Sequence, residues 1–143
     1  PVNLFLNNMS KASAFSFRMS YVVYAPPAKV FEALTDSGII AAWGGGLAVV
    51  EGKSGGKFEL FDGWVKGEVL LYKPEKELSY TWKASEWDKK AEASVVTYKL
   101  REHAAGTEII LNHTNLPSQE EADKHKEGWI DYVFDPMNDY FTI

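Results

Sequence analysis

Residues 64–84 read WVKGEVLLYKPEKELSYTWKA, and the register of their apolar positions sets the architecture. Val65, Gly67, Val69 and Leu71 alternate with Lys66 and Glu68, and Leu78, Tyr80 and Trp82 alternate with Glu77, Ser79, Thr81 and Lys83. A period of two puts the two sets on opposite faces of a strand. Lys73-Pro74-Glu75-Lys76 between the runs is turn chemistry, so the strands are antiparallel neighbours with one apolar and one polar face.

The same punctuation extends in both directions. Leu47 to Glu51, Lys57 to Phe61, Ala93 to Arg101 and Thr107 to Thr114 are further strands, separated by Gly52 to Gly56, Asp62-Gly63 and Ala105-Gly106. Phe15 to Tyr24 alternates Phe15, Phe17, Met19, Tyr21 and Val23 with Ser16, Arg18 and Ser20, which predicts a strand before the meander. Between them, Pro27 opens a short helix to about Leu34, and Asp36 or Ser37 caps a second one that stops at Gly44-Gly45-Gly46. The triple glycine follows a helix and lacks a Gly-Lys-Ser/Thr ending, so it reads as a turn and not a phosphate loop.

Ser118, three residues before Glu121, forms a capping box that opens a final helix. His125, Trp129, Tyr132, Val133 and Tyr140 share a face of it, and Pro136 predicts a kink with Asp135 capping the restarted turn. A sheet with one apolar face needs a cover, and this helix is the element long enough to supply it. The expected fold is therefore α+β, a helix-grip: a seven-stranded antiparallel sheet wrapped around a long C-terminal helix, with two short helices after the first strand. Residues 1–14 lack a period and read as a flexible arm, leaving 15–143 as one domain, in line with about 150 residues per domain.

Composition limits the function classes. The net charge of −5 offers no basic surplus for nucleic-acid phosphates. Absence of cysteine excludes disulfides and thiolate chemistry, and no apolar run approaches the roughly 20 residues of a membrane span. Pro1 to Ser10 shows no signal-peptide pattern, so the expected location is cytoplasmic. His103, His113 and His125 are spaced too widely for a metal signature. The unusual figure is 14% aromatic residues.

Those rings converge on the inner face, where alternation places Phe58, Leu60, Leu78, Tyr80, Trp82, Val96, Tyr98, Ile109, Leu111 and His113 but no acidic or basic strand residue. Polar inward groups are His113, the hydroxyls of Tyr80 and Tyr98, and His125 from the helix. Apolar walls with a few placed polar groups describe a small-molecule pocket. Inward aromatics also serve to fill a core, and His113 is equally suited to a core hydrogen bond; the residues alone leave both uses open. Trp64 by parity and Trp87 by its loop are open to exposure, which would make them candidate partner contacts, and edge packing under a loop is at least an equal alternative.

Ala25-Pro26-Pro27 with Val30, Phe31, Ala33 and Leu34, then Trp43, Gly55-Gly56-Lys57-Phe58, Gly67-Glu68 and Pro74-Glu75-Lys76 resemble the START-like (SRPBCC) superfamily. Trp82, Trp87, Leu116-Pro117, Gly128-Trp129, Tyr132, Phe134 and Phe141 are similar to the domain homologous to the carboxy-terminal part of the heat shock protein 90 ATPase activator. The resemblance implies a helix-grip fold with an internal cavity and no required cofactor. Members of the superfamily bind lipids, hormones or polyketides, and some catalyse cyclisation or hydrolysis.

Residues and resemblance together predict a non-enzymatic module that takes a small apolar molecule, aromatic or lipid-like, between sheet and C-terminal helix. Its expected walls are Trp43, Phe58, Tyr80, Trp82, Tyr98, Trp129 and Tyr132, with His113 orienting the ligand. The alternatives are a stress-related co-chaperone module that contacts heat shock protein 90, and a cyclase or hydrolase using His113 or a tyrosine as base.

Overall fold

Alternation along the strands translates directly into pairing in the computed structural model, which describes residues 15–143. The elements are β1 (Phe17–Val23), α1 (Pro27–Thr35), α2 (Ser37–Gly44), β2 (Val49–Val50), β3 (Lys57–Leu60), β4 (Val65–Lys73), β5 (Glu77–Ala84), β6 (Ser94–His103) and β7 (Gly106–Thr114). They are followed by α3 (Gln119–Gly128), a π-helical segment (Trp129–Phe134) and α4 (Asp135–Thr142). The seven strands form one sheet in the order β1-β7-β6-β5-β4-β3-β2, every neighbouring pair antiparallel. This is the expected helix-grip. The reading of residues 1–14 as an arm lies outside the described residues.

The inner face is the expected one: Phe58, Leu60, Leu78, Tyr80, Trp82, Val96, Tyr98, Ile109, Leu111 and His113 are all buried. Covering a Trp or Tyr of roughly 200 Å² at ~25 cal/mol per Å² is worth up to about 5 kcal/mol, so a few such rings dominate the packing energy. Parity breaks at a bulge in β4. The β4–β5 register slips between Val69, opposite Tyr80, and Leu71, opposite Ser79. Beyond this bulge the faces exchange, and Tyr72 instead of Leu71 turns to the core, its ring 5.2 Å from Phe31.

At Gly67 β4 runs too close to β5 for a side chain: a Cβ there would lie 1.9 Å from the Thr81 carbonyl oxygen. Asp36 caps α2 by accepting from the Ile39 amide at 3.0 Å, and Gly45, with φ 77°, ends it as a turn. Ser118 caps α3 by accepting from the Glu121 amide at 3.1 Å.

The kink expected at Pro136 takes another form. Gly128, Trp129, Phe134 and Asp135 all keep right-handed helical dihedrals, so α3, the π segment and α4 run on as one long helix. Proline lacks the N–H that would bind the Tyr132 carbonyl, and the chain widens its register one turn earlier, with the Asp135 amide bonding to Ile130 O. Asp135 is therefore not a cap; its carboxylate accepts from the Tyr21 hydroxyl on β1. Phe134 stacks on Tyr21 at 5.2 Å and Trp129 reaches Trp82 at 4.9 Å, so the helix spans the sheet from β5 to β1. Among the described residues no helix is long and apolar enough to cross a membrane.

Candidate functional site

Where the long helix leaves the β5 end of the sheet, it does not close on the β3–β4 hairpin. Phe61 and Asp62 adopt left-handed backbone conformations (φ 54° and 59°) unusual for non-glycine residues, and with Gly63 they turn the hairpin sharply. The turn brings Phe61 and Trp64 to within 6.4 Å of each other, with Trp64 also 6.2 Å from Trp82 on β5. A cleft of about 350 Å³ remains, lined by Gly44, Phe61, Trp64, Trp82, Glu86, Glu121, Lys124, His125, Gly128, Trp129, Tyr132 and Val133. Trp129, Tyr132 and Val133 all come from the π segment, whose widened register presents them together. A second depression of about 390 Å³ between α1 and α4 contains none of the predicted wall residues.

Two histidines brace the floor. The indole of Trp82 donates to His125 Nε2 at 3.1 Å, and His125 Nδ1 lies 2.9 Å from the Glu121 carbonyl. An indole nitrogen only donates, so Nε2 is unprotonated, Nδ1 carries the hydrogen and the ring is neutral. Likewise Trp129 donates to His113 Nδ1 at 3.1 Å, which leaves His113 Nε2 to donate to Ser94 Oγ at 2.8 Å; Ser94 in turn donates to the Trp82 carbonyl at 2.7 Å. Burial holds the His113 pKa well below the ordinary histidine value, with nearby His125 adding to the effect. Burial also lowers that of His125, against the opposing pull of Glu121 and Glu86. The two rings lie 5.3 Å apart, a proximity invisible in their sequence spacing.

Of the predicted walls, Trp82, Trp129 and Tyr132 line the cleft, Tyr132 at its mouth and 69% exposed. The other five lie in the core beneath or beside it. Phe58 stacks on Tyr80 at 3.7 Å, and the Tyr80 and Tyr98 hydroxyls bond each other, so burial raises both phenol pKa values and keeps them neutral. Trp43 donates to the Ala33 carbonyl at 2.9 Å, and His113 is fully buried. Trp64, left open between exposure and edge packing, is half-buried in the cleft wall, donating to Glu86 Oε2 at 2.6 Å. Trp87, the other ring left open between exposure and packing under a loop, is buried, its ring 5.7 Å from that of His125. Its Nε1 is, among the described residues, the one buried side-chain nitrogen or oxygen without a partner.

Sequence reasoning missed Phe61, the two glycines and the charged rim of Glu86, Glu121 and Lys124. The rim residues come from a loop and a helix, where strand parity carries no information. His125 was visible from its place on the aromatic face of the helix.

Comparison with known proteins matches this fold and its sequence. The family described as Activator of Hsp90 ATPase homolog 1-like protein matches residues 24–142. The Activator of 90 kDa heat shock protein ATPase homolog 1 of Mus musculus is 26% identical over 115 residues, 80% of this chain and 33% of that protein. The chain thus spans about a third of the length of the curated relatives it matches. The crystal structure of an HSP90 activator from Plasmodium falciparum aligns with a TM-score of 0.80 at 28% identity, covering 90% of this chain and 96% of that one. A protein from Mesorhizobium loti aligns with a TM-score of 0.76 at 27% identity, covering 89% and 96% respectively. With the family match extending over most of its length, the chain belongs to the Activator of Hsp90 ATPase homolog 1-like family.

Proposed function

We propose that this domain binds a small apolar molecule, aromatic or lipid-like, in the cleft between sheet and long helix, and holds it without transforming it. The observation that carries this reading is the cleft of about 350 Å³, floored by Trp82 and Trp129 and flanked by Phe61, Trp64 and Tyr132. Its size lies within the range of small-molecule sites, and its walls supply apolar contact. Phe58, Tyr80 and Tyr98 support the floor from below, while His113 fixes Trp129 and Trp43 packs in the same core. Every histidine nitrogen near the cleft is already engaged, which argues for holding over general acid–base chemistry. A cysteine-free chain suits the reducing cytoplasm.

The test is a hydrophobic ligand library read by thermal shift and tryptophan fluorescence. Ligands are expected to raise the melting temperature and perturb the emission, and Gly128→Leu, which projects into the cleft from α3, is expected to suppress both. A library without effect on either signal contradicts the reading.

Family membership favours a second reading, contact with the heat shock protein 90 chaperone through the outer surface. Its expected signature is a faster chaperone ATPase rate and co-purification with the chaperone; absence of both removes it.

A further inference from the structure

The charged groups around the cleft are unevenly matched. Glu86, Glu121 and Lys124 line it, and Lys124 Nζ is 3.6 Å from the Glu120 carboxylate, one turn earlier in its own helix. His125 adds no positive charge, because its Nε2 accepts the Trp82 N–H. Two carboxylates therefore line the cleft, Glu121 with an oxygen 3.4 Å from Nδ1 of the neutral His125, and the neighbouring lysine is already paired.

One of those carboxylates acts on the aromatic wall itself. Glu86 Oε2 accepts from Trp64 Nε1 at 2.6 Å, and a carboxylate on an indole N–H enriches the ring in electron density. Trp64 stands among Phe61, Trp82 and His125, with ring centroids 6.4, 6.2 and 6.3 Å away. Aromatic faces under a net negative rim attract a cation electrostatically.

Resting on the cleft-binding reading above, we infer that the occupant is an organic cation, an alkylammonium carrying an apolar or aromatic body, whose charge sits beside Trp64 and Tyr132 between Glu86 and Glu121. A fatty-acid anion fits poorly, since its head group would meet both carboxylates with only a paired lysine to offset them.

Calorimetric titration with three probes separates the possibilities: phenyltrimethylammonium, its neutral isostere tert-butylbenzene, and 4-tert-butylbenzoate, which adds a para carboxylate to the same hydrocarbon. A merely oily cleft prefers the neutral hydrocarbon, which is the most hydrophobic of the three. The inference expects the cation to bind about fivefold tighter than the hydrocarbon, with affinity falling as salt rises. Glu86→Gln with Glu121→Gln is expected to reverse that order. Glutamine at 86 retains an acceptor oxygen for Trp64, and glutamine at 121 leaves the amide that Ser118 caps untouched, so the melting temperature reports whether folding is intact. Tyr132→Ala, on a mostly exposed side chain that lines the cleft, is expected to weaken both probes, the cation by the larger factor. Preference for the hydrocarbon or the benzoate overturns the cation inference and leaves the cleft reading standing. Binding of none of the three, with no effect of the wider library, overturns both.

Discussion

Trp82 donates its indole N–H to His125 at 3.1 Å, and this one bond ties the strand floor of the cleft to the helix that covers it. The acceptor is Nε2, the nitrogen that takes up the proton when this tautomer of imidazole becomes imidazolium. Protonation would set two donors face to face, N–H against N–H. The geometry of the cleft is therefore linked to pH.

Stability is expected to fall as the medium is acidified from pH 7 to pH 5. His113 and His125 are both held below the ordinary histidine value of about 6.5, so between the folded and unfolded values the unfolded chain binds more protons. The stabilisation is complete above about 6.5 and is lost as pH falls through the folded values, at up to about 1.4 kcal/mol per pH unit for each ring. Glu121 and Glu86 resist the shift at His125 while Lys124 reinforces it, and His113 faces His125. Thermal denaturation across this range checks the sign. His125→Gln, which keeps an acceptor for Trp82 without titrating, is expected to flatten the curve; a melting temperature that rises on acidification contradicts the account.

His113→Leu is expected to cost about 2–4 kcal/mol in urea denaturation, because it strands the Trp129 N–H inside the core and removes the donor to Ser94. His103→Ala, at an exposed position near the β6–β7 turn, is expected to stay within about 0.5 kcal/mol. Equal effects would mean that the buried imidazole is not the brace described.

The same substitution at two glycines is expected to act with opposite signs. Gly67→Ala places a Cβ 1.9 Å from the Thr81 carbonyl oxygen, forcing β4 from β5 at a loss of about 2 kcal/mol or more. At Gly128 the nearest atom to a new Cβ is Tyr132 Cδ2 at 3.8 Å, so Gly128→Ala should gain about 0.5–1 kcal/mol from helix propensity. Denaturant midpoints of the two variants decide this; a stabilised Gly67→Ala would contradict the strand geometry.

Ser118→Ala removes the hydroxyl that accepts from the Glu121 amide and is expected to cost about 1 kcal/mol. Hydrogen exchange should quicken first at the start of α3, with the strand amides protected as before. Uniform loss of protection would mean that the cap supports more than its own helix.

How far the fold could be read in advance follows from which rules act locally. Ser118 and Asp36 announced their helices because a cap is made within four residues, and the inner face from Leu78 to Trp82 followed from a period that holds along one strand. Leu71 and Tyr72 exchanged roles because a bulge is set by the partner strand, not by the strand that carries it. Trp64 and Trp87 stay open between exposure and edge packing for a related reason: the hairpin twist at Phe61 and Asp62 and the fold of the 85–92 loop decide their burial, and neither shows as periodicity. The candidate site was harder still. Its floor of Trp82 and Trp129 lay on predicted faces, but the Glu86 and Glu121 rim exists only once loop and helix meet.

The central claim, that the cleft beneath the π segment is a binding site, is tested most directly by following the five tryptophan indole N–H resonances by NMR during titration with a neutral aromatic probe such as 2-naphthol. The account predicts saturable shifts at Trp64, Trp82 and Trp129, little change at Trp43, and loss of the response in Gly128→Leu. Resonances that stay in place, or a shift centred on Trp43, would contradict it.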